Sequence, residues 1–243
     1  MDLDEYRLMA AVEQAHWWYG ATRALLAQLL RPHLGGSPRI LDAGCGTGAT
    51  GAWLAAHGPL TATDVEPLAL TLHRELHPDV GVVTADVRQL PFHSGSFDLV
   101  CCVTVLYHRA VDDPAAVVRE LVRTTRPGGY VCLMEPGVRR LRRAHDRTTH
   151  TRRRFSRADL VALVEDSGCQ TITATGAYSF LVPAAAAKAV LERGHGSSDL
   201  ARGESGLGGL LACLAALERR LLRHVSLPFG LSVIVIARVP ASS

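Results

Sequence analysis

Three of the residue groups that could do chemistry in this chain are a glycine turn and two carboxylates, in an order that suits a nucleotide-like ligand. Arg39-Ile-Leu-Asp-Ala-Gly-Cys-Gly-Thr-Gly48 reads as a buried strand running into a turn that opens a helix. Glycine there lets the backbone approach a ligand and aims amide N–H groups at it. Gly46, Gly48 and Gly51 also satisfy the G-x-G-x-x-G spacing of dinucleotide sites. Asp64 ends the next apolar run, where a carboxylate can accept both ribose hydroxyl protons. Nicotinamide and adenosyl ligands would both want it. Asp86 ends a third run, in Thr84-Ala-Asp-Val-Arg-Gln-Leu-Pro-Phe92, and suits an exocyclic adenine amine. His108 follows a fourth run, in Thr104-Val-Leu-Tyr-His-Arg109, where it either takes a proton from an acceptor or only shapes the pocket.

Such groups meet only if the runs between them are strands of one sheet. Short apolar segments at Arg39–Asp42, Leu60–Asp64, Val80–Thr84, Leu99–Thr104 and Tyr130–Met134 alternate with helical patterns at Thr47–Ala56, Pro67–Leu76 and Pro114–Thr125. That alternation predicts a parallel sheet with helices on both faces, and ligands at the carboxyl ends of its strands. Two N-terminal helices are expected before it, separated near Trp18–Gly20 and stopped by Pro32. Beyond it come a helix over Phe155–Glu165, a strand over Thr171–Thr175, and helices over 184–193 and 207–223 with a Gly/Ser-rich link between them. Leu231–Ala237 reads as a final strand.

The chain has 243 residues, 48% of them apolar and 20% charged, with mean hydropathy +0.14, which excludes a disordered or collagen-like class. Its six cysteines form no C-x-x-C pair and read as reduced, buried thiols. Cys101 and Cys102, adjacent on a strand, should point to opposite faces as core residues. The first residues lack a basic region and no apolar run reaches 18 residues, so a cytoplasmic protein with no membrane partner is expected. No His/Asp cluster has metal-ligand spacing. Residues 138–157 hold nine Arg against Asp146, although the whole chain is only +3.

Asp42-x-Gly44-x-Gly46-x-Gly48, Asp64, Ala85-Asp86-Val87 with Leu90-Pro91-Phe92, and Phe97-Asp98-Leu-Val100 together resemble the class I S-adenosylmethionine-dependent methyltransferases. The match runs over residues 38–137 and includes Arg126-Pro127-Gly128-Gly129. The resemblance implies an α/β, Rossmann-like seven-stranded mixed sheet with its last strand antiparallel. It also implies a helical lid over residues 1–34, a methyltransferase domain over 35–243, and a helical cap at 180–226. Carried over, Gly44, Cys45 and Gly46 hold the methionine part of S-adenosylmethionine, and Asp42 orients its amino group. Asp64 with Val65 takes the ribose, Asp86 with the Val87 amide the adenine, and Val103 with Thr104 lines the sulfonium. No metal is implied.

His16-Trp-Trp-Tyr19, Arg153-Arg-Phe-Ser-Arg-Ala-Asp-Leu160, Ser198-Asp-Leu200 and Leu227-Pro-Phe-Gly-Leu-Ser232 resemble a subgroup of these enzymes encoded with glycan and natural-product pathways. Either the aromatic cluster is a helix end packed on the core, or Trp18 and Tyr19 touch the cofactor from a lid. His16, Tyr107 and Tyr178 are candidate substrate contacts, facing one cavity with Phe180. The arginine segment is a solvated connection, a site for an anionic substrate, or a nucleic-acid contact. The last is disfavoured because Thr104-Val-Leu-Tyr107 stands where an Asn/Asp-Pro-Pro-aromatic tetrad would be. The expected activity is methyl transfer to O, N or C of a small molecule. Its rivals are a cyclase-like protein that binds the same cofactor without transferring methyl, a nicotinamide-dependent oxidoreductase, and a noncatalytic partner of a pathway enzyme.

Overall fold

The computed structural model of the chain describes residues 1–139, 141, 146, 149–191 and 207–241. Seven strands, β1 (Ile40–Ala43), β2 (Leu60–Asp64), β3 (Gly81–Thr84), β4 (Phe97–Val103), β5 (Thr125–Pro136), β6 (Gln170–Ala177) and β7 (Ser232–Arg238), form one sheet in the order β3-β2-β1-β4-β5-β7-β6. The first five are parallel, with Ile40 beside both Leu60 and Leu99. β7 lies antiparallel between β5 and β6, with Cys132 beside Ile236. The expected seven-stranded mixed sheet is therefore observed.

Successive side chains of a strand point to opposite faces, so each central strand feeds two cores. Leu41, Val100, Cys102, Leu133 and Val235 pack on one side beneath α4 (Pro114–Thr124) and α5 (Arg157–Glu165). Ile40, Leu99, Cys101, Cys132 and Ile234 pack on the other, beneath α2 (Trp17–Leu30), α3 (Pro67–Leu76) and α7 (Gly208–Leu221). Cys101 and Cys102 thus diverge as expected, and five of the six free cysteines are buried. Local chemistry sets the helix starts. Asp113 accepts from the Ala115 amide at 2.9 Å ahead of Pro114, and Ser156 with Asp159 forms a reciprocal capping box.

Several boundaries differ from the sequence expectation. The N-terminal helices part at Glu13–His16 rather than at Trp18–Gly20, giving α1 (Leu3–Val12) and α2. His16 caps α2 by accepting the Trp18 amide at 3.3 Å, and Gly20 is carried inside it at the modest cost glycine has in a helix. The helix expected over Thr47–Ala56 shrinks to a 3-10 turn at Ala52–Ala56, because three left-handed glycines, Gly44, Gly46 and Gly48, keep the preceding chain coiled. Val80–Thr84 is not a buried run: β3 is a largely exposed edge strand. Phe155 lies ahead of α5 as a core side chain. Helix α6 is Val182–Leu191, and the Gly/Ser-rich link and Ser198-Asp-Leu200 lie outside the described residues.

Candidate active site

In strand order the chain reverses direction between β1 and β4, which opens a crevice at the carboxyl edge of the sheet. Gly44–Gly48, Asp64, Asp86 and Thr104–His108 all follow strand ends on that edge. The sheet therefore brings the predicted groups together.

The glycine turn is shaped by contacts that leave no room for a β-carbon. One on Gly44 would meet Val105 Cγ2 at 2.4 Å, and one on Gly48 would meet the His77 ring at 2.5 Å. Asp64 braces the turn from the side: its Oδ2 accepts from the Gly46 amide at 2.9 Å and its Oδ1 from the Glu66 amide at 2.9 Å. Burial raises its carboxyl pKa against those amide bonds. Asp42 is fully buried beneath the turn, and its Oδ2 has no partner among the described residues. Burial, then the Asp64 charge, pushes Asp42 up to about 7.

Two adjacent buried carboxylates, neither of them ion-paired among the described residues, suit a ligand that brings positive charge of its own. The unpartnered Asp42 oxygen beside the buried Asp64 carboxylate thus fits S-adenosylmethionine, which carries an ammonium and a sulfonium. Asp86 is one-third exposed and held below the usual carboxylate range by Arg88, whose Nε and Nη2 both reach it. Val87 is buried, whereas the Val65 side chain is exposed at the end of β2. Val103 ends β4 in the core. Thr104, left-handed at φ 55°, donates its amide to the Met134 carbonyl at 2.7 Å.

The loop after β4 hangs on a residue the sequence reading passed over. Glu135 is fully buried, and its Oε1 accepts from the amides of Val105 at 3.0 Å and Leu106 at 2.8 Å while Oε2 accepts from Tyr107 at 3.1 Å. Burial outweighs these three bonds and raises its pKa to about 8. One carboxylate thereby sets both Val105 against Gly44 and the position of Tyr107. Its signal in the sequence is an acid ending an apolar run, the same signal that marks Asp64. Glu218 of α7 acts likewise on the Tyr178–Phe180 turn, accepting from the amide of Tyr178 and from that of Ser179 at 2.9 Å.

Helix α1 lies over the glycine turn. Met9 Cε is in contact range of Gly46, Tyr6 is buried within electrostatic reach of Asp64, and buried Glu13 accepts from Thr47 Oγ1 at 2.5 Å. Arg23 Nη1 ties α2 to the same turn through the Ala49 carbonyl at 2.8 Å. Tyr19 is buried, Trp18 half-buried, and the two rings meet edge to face at 5.0 Å. His16 stacks against Trp17, Trp17 and Trp18 lie against Tyr178, and the Tyr178 hydroxyl meets Thr22 Oγ1 at 2.8 Å. The aromatic cluster therefore joins α2 to the β6 end, and α2 itself is built into the core through Leu25, Leu26 and Leu30.

His108 lies at the mouth, where the chain after β5 returns: the Arg109 amide donates to the His150 carbonyl, and the His108 and His150 rings are 5.6 Å apart. Burial, then the Met1 ammonium and the neighbouring His150 and Arg109, lowers its pKa to about 4, so it is neutral at pH 7 and a weak base. General-base catalysis typically contributes 10²–10⁴-fold. His108→Ala is accordingly expected to lower kcat for methyl transfer by less than about tenfold with the pH–rate profile unchanged. A loss above about a hundredfold, with one limb of that profile gone, would make it the base.

The arginine segment is partly paired. Arg152 bridges Asp112, Arg139 approaches Asp159 at 3.4 Å, and Arg154 forms a buried pair with Asp146. Arg140, Arg142, Arg143 and Arg147 lie outside the described residues. An open depression of about 330 Å³ lined by Arg139, Arg153, Arg154, Phe155 and Asp159 shares no residue with the glycine turn. Among the described residues no His/Cys/Asp/Glu group could hold a metal ion.

Residues 41–133 match the family described as methyltransferase domain. The demethylmenaquinone methyltransferase of Beutenbergia cavernae is 36% identical over 105 residues, 42% of this chain and 43% of that protein. The chain spans from a quarter to under half of the length of such curated relatives. Among solved structures, an S-adenosylmethionine-dependent methyltransferase from Mesorhizobium loti superposes with TM-score 0.57 at 18% identity, over 93% of this chain and 99% of that one. The [4+2]-cyclase SpnF does so with TM-score 0.59 at 20% identity, over 89% and 81%. Sheet order and matched family agree: residues 41–133 carry a methyltransferase domain, set in the fold of the solved S-adenosylmethionine-dependent methyltransferases.

Proposed function

We propose that the protein is a cytoplasmic methyltransferase that moves the methyl group of S-adenosylmethionine to an oxygen, nitrogen or carbon of a small molecule in a natural-product or glycan pathway. The observation that carries this is the glycine turn braced by Asp64 over the unpartnered Asp42 carboxyl. The bound cofactor supplies an electrophilic methyl group on a sulfonium. Asp42 and the Gly44–Gly46 backbone hold the methionine end, Asp64 and Val65 the ribose, and Asp86 with Val87 the adenine. Val103 and Thr104 face the sulfonium, and Trp18 and Tyr19 close over it from α2. His16, Tyr107 and Tyr178 line the acceptor side, with an anionic acceptor compatible with the arginines nearby. Transfer from a sulfonium asks mainly for in-line proximity, so a rigid loop after β4 matters more than a strong base. The α1 lid excludes water from the reacting centre.

Calorimetric titration with S-adenosylmethionine, S-adenosylhomocysteine and NADH tests this reading. Micromolar affinity for the adenosyl pair and none for NADH is expected. A cation beside Asp42 favours its ionised form. With the free carboxyl titrating at about 7, affinity should therefore rise between about pH 6 and 8, with proton release on the acid side. No binding of either adenosyl ligand would sink the proposal, and cofactor binding without methylated product in an acceptor screen would favour the cyclase-like rival.

A further inference from the structure

Helix α7 carries leucine on its outer surface at a strict three-four spacing. Leu207, Leu210, Leu214, Leu217 and Leu221 follow one another along one face, and Val225 and Phe229 are exposed beyond the helix end. All seven are 37–63% exposed. The inner face is committed elsewhere: Ala215 and Leu222 are buried, Gln28 of α2 donates to the Arg219 carbonyl at 2.8 Å, and Glu218 holds the Tyr178–Phe180 turn. A contiguous exposed apolar patch of this kind marks an interaction surface.

The charges beside the stripe say what would cover it. Arg220, Arg223 and His224 are exposed at its carboxyl end. Glu218 is the only acid between residues 207 and 241, and both its oxygens face inward. A second copy of this face would bring leucines to leucines but offer the arginines no carboxylate. An anionic lipid surface offers both an apolar layer and phosphate charge, which is how a basic amphipathic helix lies in a membrane interface. No described helix is long and apolar enough to cross a membrane, so the contact is with the surface.

We propose that the leucine face of α7, with Val225 and Phe229, docks the protein on anionic lipid bilayers. This departs from the sequence expectation of no membrane partner. It does not depend on the methyl-transfer reading, since the face shares no residue with the glycine turn.

The test uses the full chain and vesicles of phosphatidylcholine with or without phosphatidylglycerol, read by co-sedimentation. Cys213, the one exposed cysteine of the six, lies beside the stripe and takes a polarity-sensitive dye. Expected are binding to the phosphatidylglycerol vesicles with a blue shift of the dye, and weakening of both by salt. In Leu214→Asp/Leu217→Asp the partition coefficient should fall at least about tenfold, the factor that withdrawing one leucine from an apolar layer carries. Arg220→Gln should weaken binding to the phosphatidylglycerol vesicles alone. Three results overturn the proposal: no vesicle binding by the wild type; a wild-type dimer that the double variant dissociates without any vesicle binding, which gives the face to a second copy; or a lowered Tm of the double variant, which means the chain's own residues cover the stripe.

Discussion

Asp64→Ala is expected to lower affinity for S-adenosylmethionine by at least about a hundredfold, which calorimetry would register as lost binding. The side chain accepts two amides, from Gly46 and Glu66, at a position only 8% exposed. Alanine leaves both donors unsatisfied, at about 1–3 kcal/mol each, and removes the carboxylate that meets the ribose, whose charge-assisted bonds contribute about 1.5–3 kcal/mol. The three together come to at least about 3.5 kcal/mol, above the roughly 2.8 kcal/mol that a hundredfold represents. Asp64→Asn keeps one acceptor oxygen and the shape of the turn, so it should fall between the two, near tenfold. Thermal unfolding separates lost binding from lost folding. An Asp64→Ala protein that stays folded and binds within about threefold of the wild type would remove Asp64 from the site.

The second large effect falls on Glu135. Glu135→Ala strands three amides in a fully buried position, at about 1–3 kcal/mol apiece before the loop relaxes. A net cost of about 3–5 kcal/mol is expected, which lowers Tm by about 10 °C for a chain of this size. Glu135→Gln retains one oxygen but turns an N–H donor toward an amide donor, so it should recover only part of that loss. It also carries a distinguishing signature. The folded Glu135 titrates at about 8 against an ordinary value of 4.5. Between those values the native state binds more protons than the unfolded state. This residue's contribution to stability is therefore greatest below about pH 4.5 and declines as pH rises to about 8. Glu135→Gln abolishes that decline, and the difference in Tm between pH 5.5 and 8.5 should shrink relative to the wild type. An unchanged difference would mean that Glu135 stays ionised. Because the same carboxylate holds Val105 against Gly44, both variants should also bind S-adenosylmethionine less tightly.

Much of this architecture was legible before the structure. The apolar runs leading into the glycine turn and to Asp64 are β1 and β2, the run ahead of Asp86 is β3, which ends two residues earlier at Thr84, and the antiparallel last strand follows from the resemblance those motifs carry. The misplaced features were of one kind. Gly20 suggests a break between the N-terminal helices, but glycine is tolerated within a helix and the His16 side chain caps the true start. The helix after Gly48 was too long because three positive-φ glycines cannot feed directly into one. Glu135 is not legible in the sequence, because a lone acid at the end of an apolar run gives no hint of three amides waiting 28–30 residues upstream.

By itself the sequence determined the fold class and the one edge of the sheet at which Asp64, Asp86 and His108 stand. Each depends on periodicity, turn chemistry and residue order, which are local properties of the chain. The tertiary structure alone decided what the buried acids hold: Asp64 the Gly46 amide, Glu135 the loop after β4, Glu218 the Tyr178 turn, and Glu13, at the end of α1, the Thr47 hydroxyl. It alone exposed the leucine face of α7 while burying the opposite one. Those pairings join residues 18–40 positions apart, and burial of one helix face depends on what packs against it. Neither is encoded in any short window of sequence.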